Sequence, residues 1–169
     1  MPIEIERKFL VNRDRWHHFA KVSGIQGFAY CQGYIASHEG RTVRVRIAGE
    51  KGFLTIKGPS VGYARSEFEY PIPLEHAREM LQTLCTPPLI EKTRYKVNWQ
   101  GQIWEVDEFA GENQGLILAE IELEEGEAPG TSEAIAHPDW VGVEVSQDPR
   151  YYNSNLAETP FRQWGNKAT

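Results

Sequence analysis

The sequence predicts a mainly β (α+β) fold, eight antiparallel strands in a meander able to close on itself. Three observations predict it. Extended segments outnumber helical ones along the chain. Most of them are joined by short turns rich in glycine, proline and polar residues. Nearly all of them alternate charged and apolar side chains, the period-two pattern of a strand with two unlike faces.

The first strand, Pro2 to Val11, sets Glu4, Glu6 and Lys8 against Ile3, Ile5, Phe9 and Val11. Alternate strand positions lie roughly 6.5 to 7 Å apart on one side of a sheet, so two acids and an ammonium share a face. Arg13 to Val22 reads as a short helix with Trp16, Phe19 and Ala20 on one side. A strand over Gln26 to Ala36 follows, closed by Ser37-His38-Glu39-Gly40. Thr42 to Ala48 and Phe53 to Lys57 form a hairpin about Gly49-Glu50-Lys51-Gly52. Gly58-Pro59-Ser60 opens a loop reaching Ala64, and Arg65 to Ile72 is again extended. Pro73 starts a helix over Leu74 to Leu84, with Ala77, Met80, Leu81 and Leu84 on one face, and Pro87-Pro88 stops it. Leu89 to Trp99 and Gln102 to Phe109 flank a Gln100-Gly101 turn, and Gly111 to Gly115 leads into Leu116 to Glu124. Beyond Gly126 the sequence is loop-like, with a short helix at Ser132 to Ala136 and an aromatic, polar tail over Asp148 to Trp164.

The charged faces carry both signs. Arg44 and Arg46, Lys57, Glu67 and Glu69, Lys92 with Arg94 and Lys96, Glu105 with Asp107, and Glu120 with Glu122 and Glu124 each oppose apolar neighbours. Two architectures accommodate such strands. In one, the apolar faces form the core and the charges meet water, as in many antiparallel sheets. In the other, a closed barrel keeps mixed charges inside and its apolar faces outside, beneath helices; mixed signs suit a lumen, where like charges repel strongly.

The 169 residues suit one domain, and a net charge of −6 argues against general nucleic-acid or anionic-membrane binding. No apolar run approaches a membrane span. Cys31 and Cys85 lack metal-ligand spacing and read as free thiols of a reducing cytoplasm, and the histidines are too scattered for a metal site.

Glu4-Ile5-Glu6-Arg7-Lys8 resembles the Glu-x-Glu-x-Lys signature of the CYTH superfamily, the triphosphate tunnel metalloenzymes. The resemblance continues in order through Arg44-Val45-Arg46, Thr55-Ile56-Lys57, Glu67-Phe68-Glu69, Lys92-Thr93-Arg94, Asp107 and Glu120-Ile121-Glu122-Leu123-Glu124. The tail over Asp148 to Leu156 is similar to that of small bacterial members. This resemblance implies the tunnel: a closed eight-stranded antiparallel barrel over about residues 2–124, with residues 125–169 docking on it as part of a single domain. It implies phosphate binding by Lys8, Arg44, Arg46, Lys57, Lys92 and Arg94. Arginine suits bidentate clamping, and lysine supplies a compact charge. It also implies metal binding by Glu4, Glu6, Glu120 and Glu122, with Glu124 as an alternative set by register. All-oxygen ligands suit Mg²⁺ or Mn²⁺. The catalytic set it implies is Glu4, Glu6, Lys8, Glu67, Glu69 and Asp107, the last three orienting basic side chains or water.

The implied activity is metal-dependent hydrolysis of inorganic triphosphate, extending to nucleoside triphosphates. A class IV-type adenylate cyclase, a thiamine triphosphatase and a non-catalytic polyphosphate or nucleotide sensor are the alternatives. The expected partner is a triphosphate-containing small molecule, and a homodimer is compatible with the sequence. Among the remaining side chains, Glu67 and Glu69 also read as plain salt-bridge partners, and Lys96 and Glu105 as solvated charges at a mouth. Tyr34 reads as a packing aromatic within reach of the lumen. Arg150, Tyr151 and Tyr152 read as docking the tail, and Arg7 as pairing at the surface.

Overall fold

The computed structural model describes residues 2–124 and 135–165. In chain order the elements are β1 (Ile3–Val11), α1 (Arg13–Ser23), β2 (Gly27–His38), β3 (Arg41–Ala48), β4 (Lys51–Lys57), β5 (Ala64–Ile72), α2 (Leu74–Thr83), β6 (Ile90–Trp99), β7 (Gln102–Phe109), β8 (Ile117–Glu122), β9 (Val141–Glu144) and α3 (Asn153–Glu158). Strand order is β5-β4-β3-β2-β6-β7-β8-β1-β9, and β5 also pairs with β1, so eight strands return on themselves as a ring. Every strand pairing is antiparallel. One edge of β1 is shared: Ile3, Glu4 and Ile5 pair with β5, and Phe9 and Val11 pair with β9.

The apolar faces lie outside the ring and are covered over much of it, with Ile3, Ile56 and Tyr70 left exposed. Asn12 caps α1 by accepting from the Arg15 amide, and Gly24 ends it in the left-handed conformation at φ 65°. The helix drives Trp16, which is fully buried, against Tyr95 and Trp140. The Trp16 indole N–H donates to Glu108 at 2.8 Å. α2 packs Ala77 and Leu81 with Val45 and Cys85 over the β2–β4 part of the ring. The C-terminal segment instead closes one end of the ring with an apolar cluster, where Tyr151, Leu156 and Phe161 meet Ile90, Phe109 and Leu118, residues on the same strand faces as Lys92, Asp107 and Glu120.

Gly33 shows how tightly α2's end sits on β2. A Cβ there would lie 2.7 Å from Leu89 Cδ2 and 2.8 Å from Cys85 Cβ. Gly33→Ala is therefore expected to cost about 1–3 kcal/mol through overpacking. Urea unfolding checks it, and an unchanged midpoint would show that the contact yields freely.

Several expectations need correction. β2 runs on to His38, leaving a two-residue turn of Glu39 and Gly40, both at positive φ (49° and 78°). β4 likewise begins at Lys51, because Gly49 at φ 61° lets a two-residue turn close the hairpin. β9 and α3 form where only loop and tail were expected. β9 is four residues long, and its Gly142 lies close against the Leu10 carbonyl, too little pattern to read as a strand. Of the helix expected at Ser132–Ala136, residues 132–134 lie outside the described residues, and Ile135 and Ala136 are not helical. Arg7 is buried, not at the surface. It donates from Nε to Glu144 of β9 at 2.8 Å and lies over the Tyr63 ring. Among the described residues no helix is long and apolar enough to cross a membrane, and Cys31 and Cys85 are free.

Candidate active site

Strand alternation directs the charged faces into the ring, where they line a cavity of about 400 Å³. Among the described residues its wall carries seven lysines and arginines and seven glutamates. They are not evenly mixed. On β1 and β8, register sets Glu6 beside Glu122 and Lys8 beside Glu120. β3, four places round the ring from β8, presents Arg44 and Arg46. A carboxylate-rich wall thus faces an arginine wall.

Most lumen charges are paired. Lys57 Nζ lies 2.6 Å from Glu4 and 3.1 Å from Glu67, bridging β4 to β1 and β5. Lys8 Nζ is 3.3 Å from Glu120, and it also donates to the Tyr151 carbonyl at 3.2 Å. Arg44 reaches Glu69 at 3.4 Å, while Thr55 Oγ1 donates to the same carboxylate at 2.8 Å. Glu67 and Glu69 are thus salt-bridge partners that orient Lys57 and Arg44. Arg94 clamps Asp107 through Nε and Nη2 at 2.7 and 2.8 Å, and meets Glu105 at 3.0 Å. Arg44 Nε is buried with no hydrogen-bond acceptor among the described residues.

The acidic wall is electrostatically uneven. Burial raises the Glu4 carboxyl, but Lys57 outweighs it and the group ends below its ordinary value. Burial likewise raises Glu120, and Lys8 and Arg94 overcome it to leave that carboxyl well below the usual range. Glu6 lies between them with too little help: burial, then Glu120 and Glu4, outweigh Lys8 and Lys57 and hold it well above the usual range. Lys8 and Lys57 are ion-paired with Glu120 and Glu4 instead. Ionising Glu6 is therefore unfavourable in the metal-free lumen, and a bound cation would reverse that preference.

The expected residues are placed as follows. Glu4, Glu6, Lys8, Arg44, Arg46, Lys57, Glu67, Glu69, Arg94, Glu120 and Glu122 all line the cavity, as do Tyr34, Lys96 and Glu105. Lys92 and Asp107 lie beneath the lining, paired with each other at 2.7 Å. Glu124 is exposed beyond the end of β8 and does not line it. Tyr151 docks the tail in the apolar cluster, whereas Tyr152 lines the cavity. Arg150 is exposed and pairs with Asp148 at 2.7 Å.

Sequence reasoning missed Tyr30, Gln32, Arg65, Ser146, Asn153 and Ser154. Tyr30 lies under both Arg46 and Arg94, at 5.1 and 5.0 Å from the ring centre. Tyr30 and Gln32 share parity with Tyr34 on β2, which was a readable signal, although that strand carries no charges to mark its inner face. The tail residues offered no periodic signal at all.

Residues 2–152 match the CYTH domain. The chain belongs to the CYTH domain family. Within that family it is 48% identical over 164 residues to the inorganic triphosphatase of Acetivibrio thermocellus, covering 97% of this chain and 99% of that protein. The inorganic triphosphatase of Nitrosomonas europaea is 35% identical over 158 residues, covering 91% and 96%. The crystal structure of an inorganic triphosphatase superposes with a TM-score of 0.61 at 32% identity, over 93% of this chain and 95% of that one. A Bacillus halodurans protein described as a candidate adenylate cyclase reaches the same TM-score of 0.61 at 16% identity, over 75% of this chain and 83% of that one, a likeness of fold alone.

Proposed function

We propose that this CYTH chain hydrolyses a phosphoanhydride bond of inorganic triphosphate with the help of a divalent cation. The observation that carries the proposal is the division of the lumen into an arginine wall and a carboxylate wall about 400 Å³ of space. Arg44, Arg46 and Arg94 would grip phosphate oxygens, and the acceptor-free Arg44 Nε has a hydrogen bond to give. Lys8 and Lys57 would add point charges where the bridging and terminal oxygens develop negative charge.

Glu4, Glu6, Glu120 and Glu122 would hold Mg²⁺ or Mn²⁺. The donor set fits such an ion, being all oxygen and including in Glu6 a carboxyl whose ionised form a cation would favour. Among the described residues no group of three acidic, histidine or cysteine side chains is placed to hold a metal ion by itself. Substrate oxygens and water would finish the coordination, as is usual for Mg²⁺. A cation bound there neutralises phosphate charge and acidifies bound water. Glu67 and Glu69 hold Lys57 and Arg44 in position, and Asp107 holds Arg94.

The test is phosphate release from tripolyphosphate, ATP and thiamine triphosphate, each with Mg²⁺, Mn²⁺ or chelator, while cyclic AMP is followed from ATP. Metal-dependent cleavage preferring tripolyphosphate is expected. Cyclic AMP formation would assign a cyclase, and firm binding without turnover a sensor. In the same assay Arg44→Ala is expected to raise KM for tripolyphosphate about 10- to 100-fold, the loss of one or two charge-assisted bonds. An unchanged KM would remove Arg44 from the phosphate site.

A further inference from the structure

Arg46 differs from the other five cations expected to meet phosphate. Lys8, Arg44, Lys57, Lys92 and Arg94 each face a carboxylate within 4 Å. Among the described residues Arg46 makes no ion pair. Its Nε donates instead to Gln32 Oε1 at 2.8 Å, and its guanidinium lies over Tyr30.

The choice of an amide matters. A carboxylate at this place would orient Arg46 equally well but neutralise it, whereas the amide oxygen holds the fork and leaves its charge for an incoming anion. Gln32 is wholly buried, so its orientation is fixed by its partners. With Oε1 accepting from Arg46, Nε2 needs an acceptor, and it donates to Asn153 Oδ1 at 3.2 Å. The same Asn153 oxygen accepts from Lys92 Nζ at 3.0 Å. Asn153 opens α3, and the segment carrying it is anchored by Tyr151 and Leu156 in the apolar cluster that fills one end of the ring.

We propose that Gln32 and Asn153 are positioning residues: a neutral relay through which the C-terminal segment fixes the Arg46 guanidinium for a substrate phosphate while leaving its charge uncompensated. The proposal rests on the triphosphate reading of the cavity. It assigns Gln32 no contact with the reacting atoms. Its role is to keep one donor aimed, and Asn153 settles which way the glutamine amide points.

The test uses the full chain with tripolyphosphate. KM is measured with Mg²⁺, binding is measured by calorimetry with chelator, and the thermal midpoint is measured without ligand. Gln32→Glu gives Arg46 a carboxylate, so tripolyphosphate affinity is expected to fall about tenfold or more while the midpoint holds or rises. Asn153→Ala frees the glutamine amide and is expected to raise KM several-fold with a smaller change in kcat. Affinity within twofold of the unsubstituted protein in both variants overturns the relay. So does a loss of affinity matched by a loss of midpoint in Gln32→Glu, which assigns the side chain to packing. If the unsubstituted protein neither binds nor cleaves tripolyphosphate, the reading of the cavity fails and the relay with it. If it does both, and the variants match it, only the relay fails.

Discussion

Replacing Glu6 with glutamine is expected to lower kcat/KM for tripolyphosphate about 10²- to 10³-fold, while the metal-free protein becomes more stable. Both effects have one origin. Burial and the neighbouring Glu120 and Glu4 hold the Glu6 carboxyl well above its ordinary range, so the ionised form is disfavoured in the folded protein. The folded state therefore binds this proton more firmly than the unfolded chain. Stability from this group is greatest below the unfolded value of about 4.3, and it falls as pH rises through the folded one. Glutamine keeps the shape and removes the charge, so the gain should be present at neutral pH and fade toward pH 4. The same charge is what a divalent cation would bind. Thermal unfolding in chelator at pH 4 and pH 8, together with metal-dependent kinetics, separates the two effects. Activity within tenfold of the unsubstituted protein would take Glu6 out of the metal site.

Asp107→Asn should produce the largest loss of stability in the barrel, about 3–5 kcal/mol at neutral pH. Asp107 is almost wholly buried, 2.7 Å from Lys92 Nζ, and takes two bonds from Arg94. Burial would raise its carboxyl, yet Arg94 and Lys92 outweigh that and bring it down to about 2. Lys92 responds differently: burial brings its ammonium down to about 7, Asp107 opposing and Arg94 and Arg46 adding to the fall. The asymmetry follows from the partners: Lys92 shares Asp107 with Arg94, whereas Arg94 also meets Glu105 and Glu120. Asparagine leaves Lys92 buried without its ion-pair partner and strips Arg94 of its shortest one. Because the folded Asp107 value is depressed, its contribution is present above the unfolded value of about 3.9 and disappears as pH falls through about 2. Urea unfolding from pH 7 to pH 2 should show the variant's deficit shrinking across that acid window. A loss below 1 kcal/mol at pH 7 would show that the pair is solvated in practice.

The alternation of charge and apolar residues made the strands legible, because a ring with a polar lumen writes its inner face directly into the period-two pattern. What alternation could not decide was which face is inside. Glu4, Glu6, Arg44 and Arg46 would alternate equally on a sheet with a wet outer surface. The choice was settled by ordered resemblance, not by periodicity. β2 hid its contribution because Tyr30, Gln32 and Tyr34 are uncharged, so its inner face looked like any amphipathic strand. Lys92 and Asp107 looked identical in pattern to Arg94, yet the fold buries them beneath the lining; depth is set by neighbours from β2 and α3 that are distant in sequence. Arg7 was misplaced for a related reason. Its partner Glu144 lies 137 residues away on a strand too short to announce itself.

The equal count of positive and negative groups in the cavity wall bears on how a polyanion arrives. A protein of net charge −6 with a balanced lumen projects little attractive field beyond its mouth. Encounter then gains nothing from long-range attraction, and added salt, which screens the repulsion between two negative partners, is expected to raise the association rate. Recognition is deferred until the anion is inside, where opposed walls separate charges that cancel from afar. A triphosphate travelling with a divalent cation would carry less negative charge past that mouth than the bare anion.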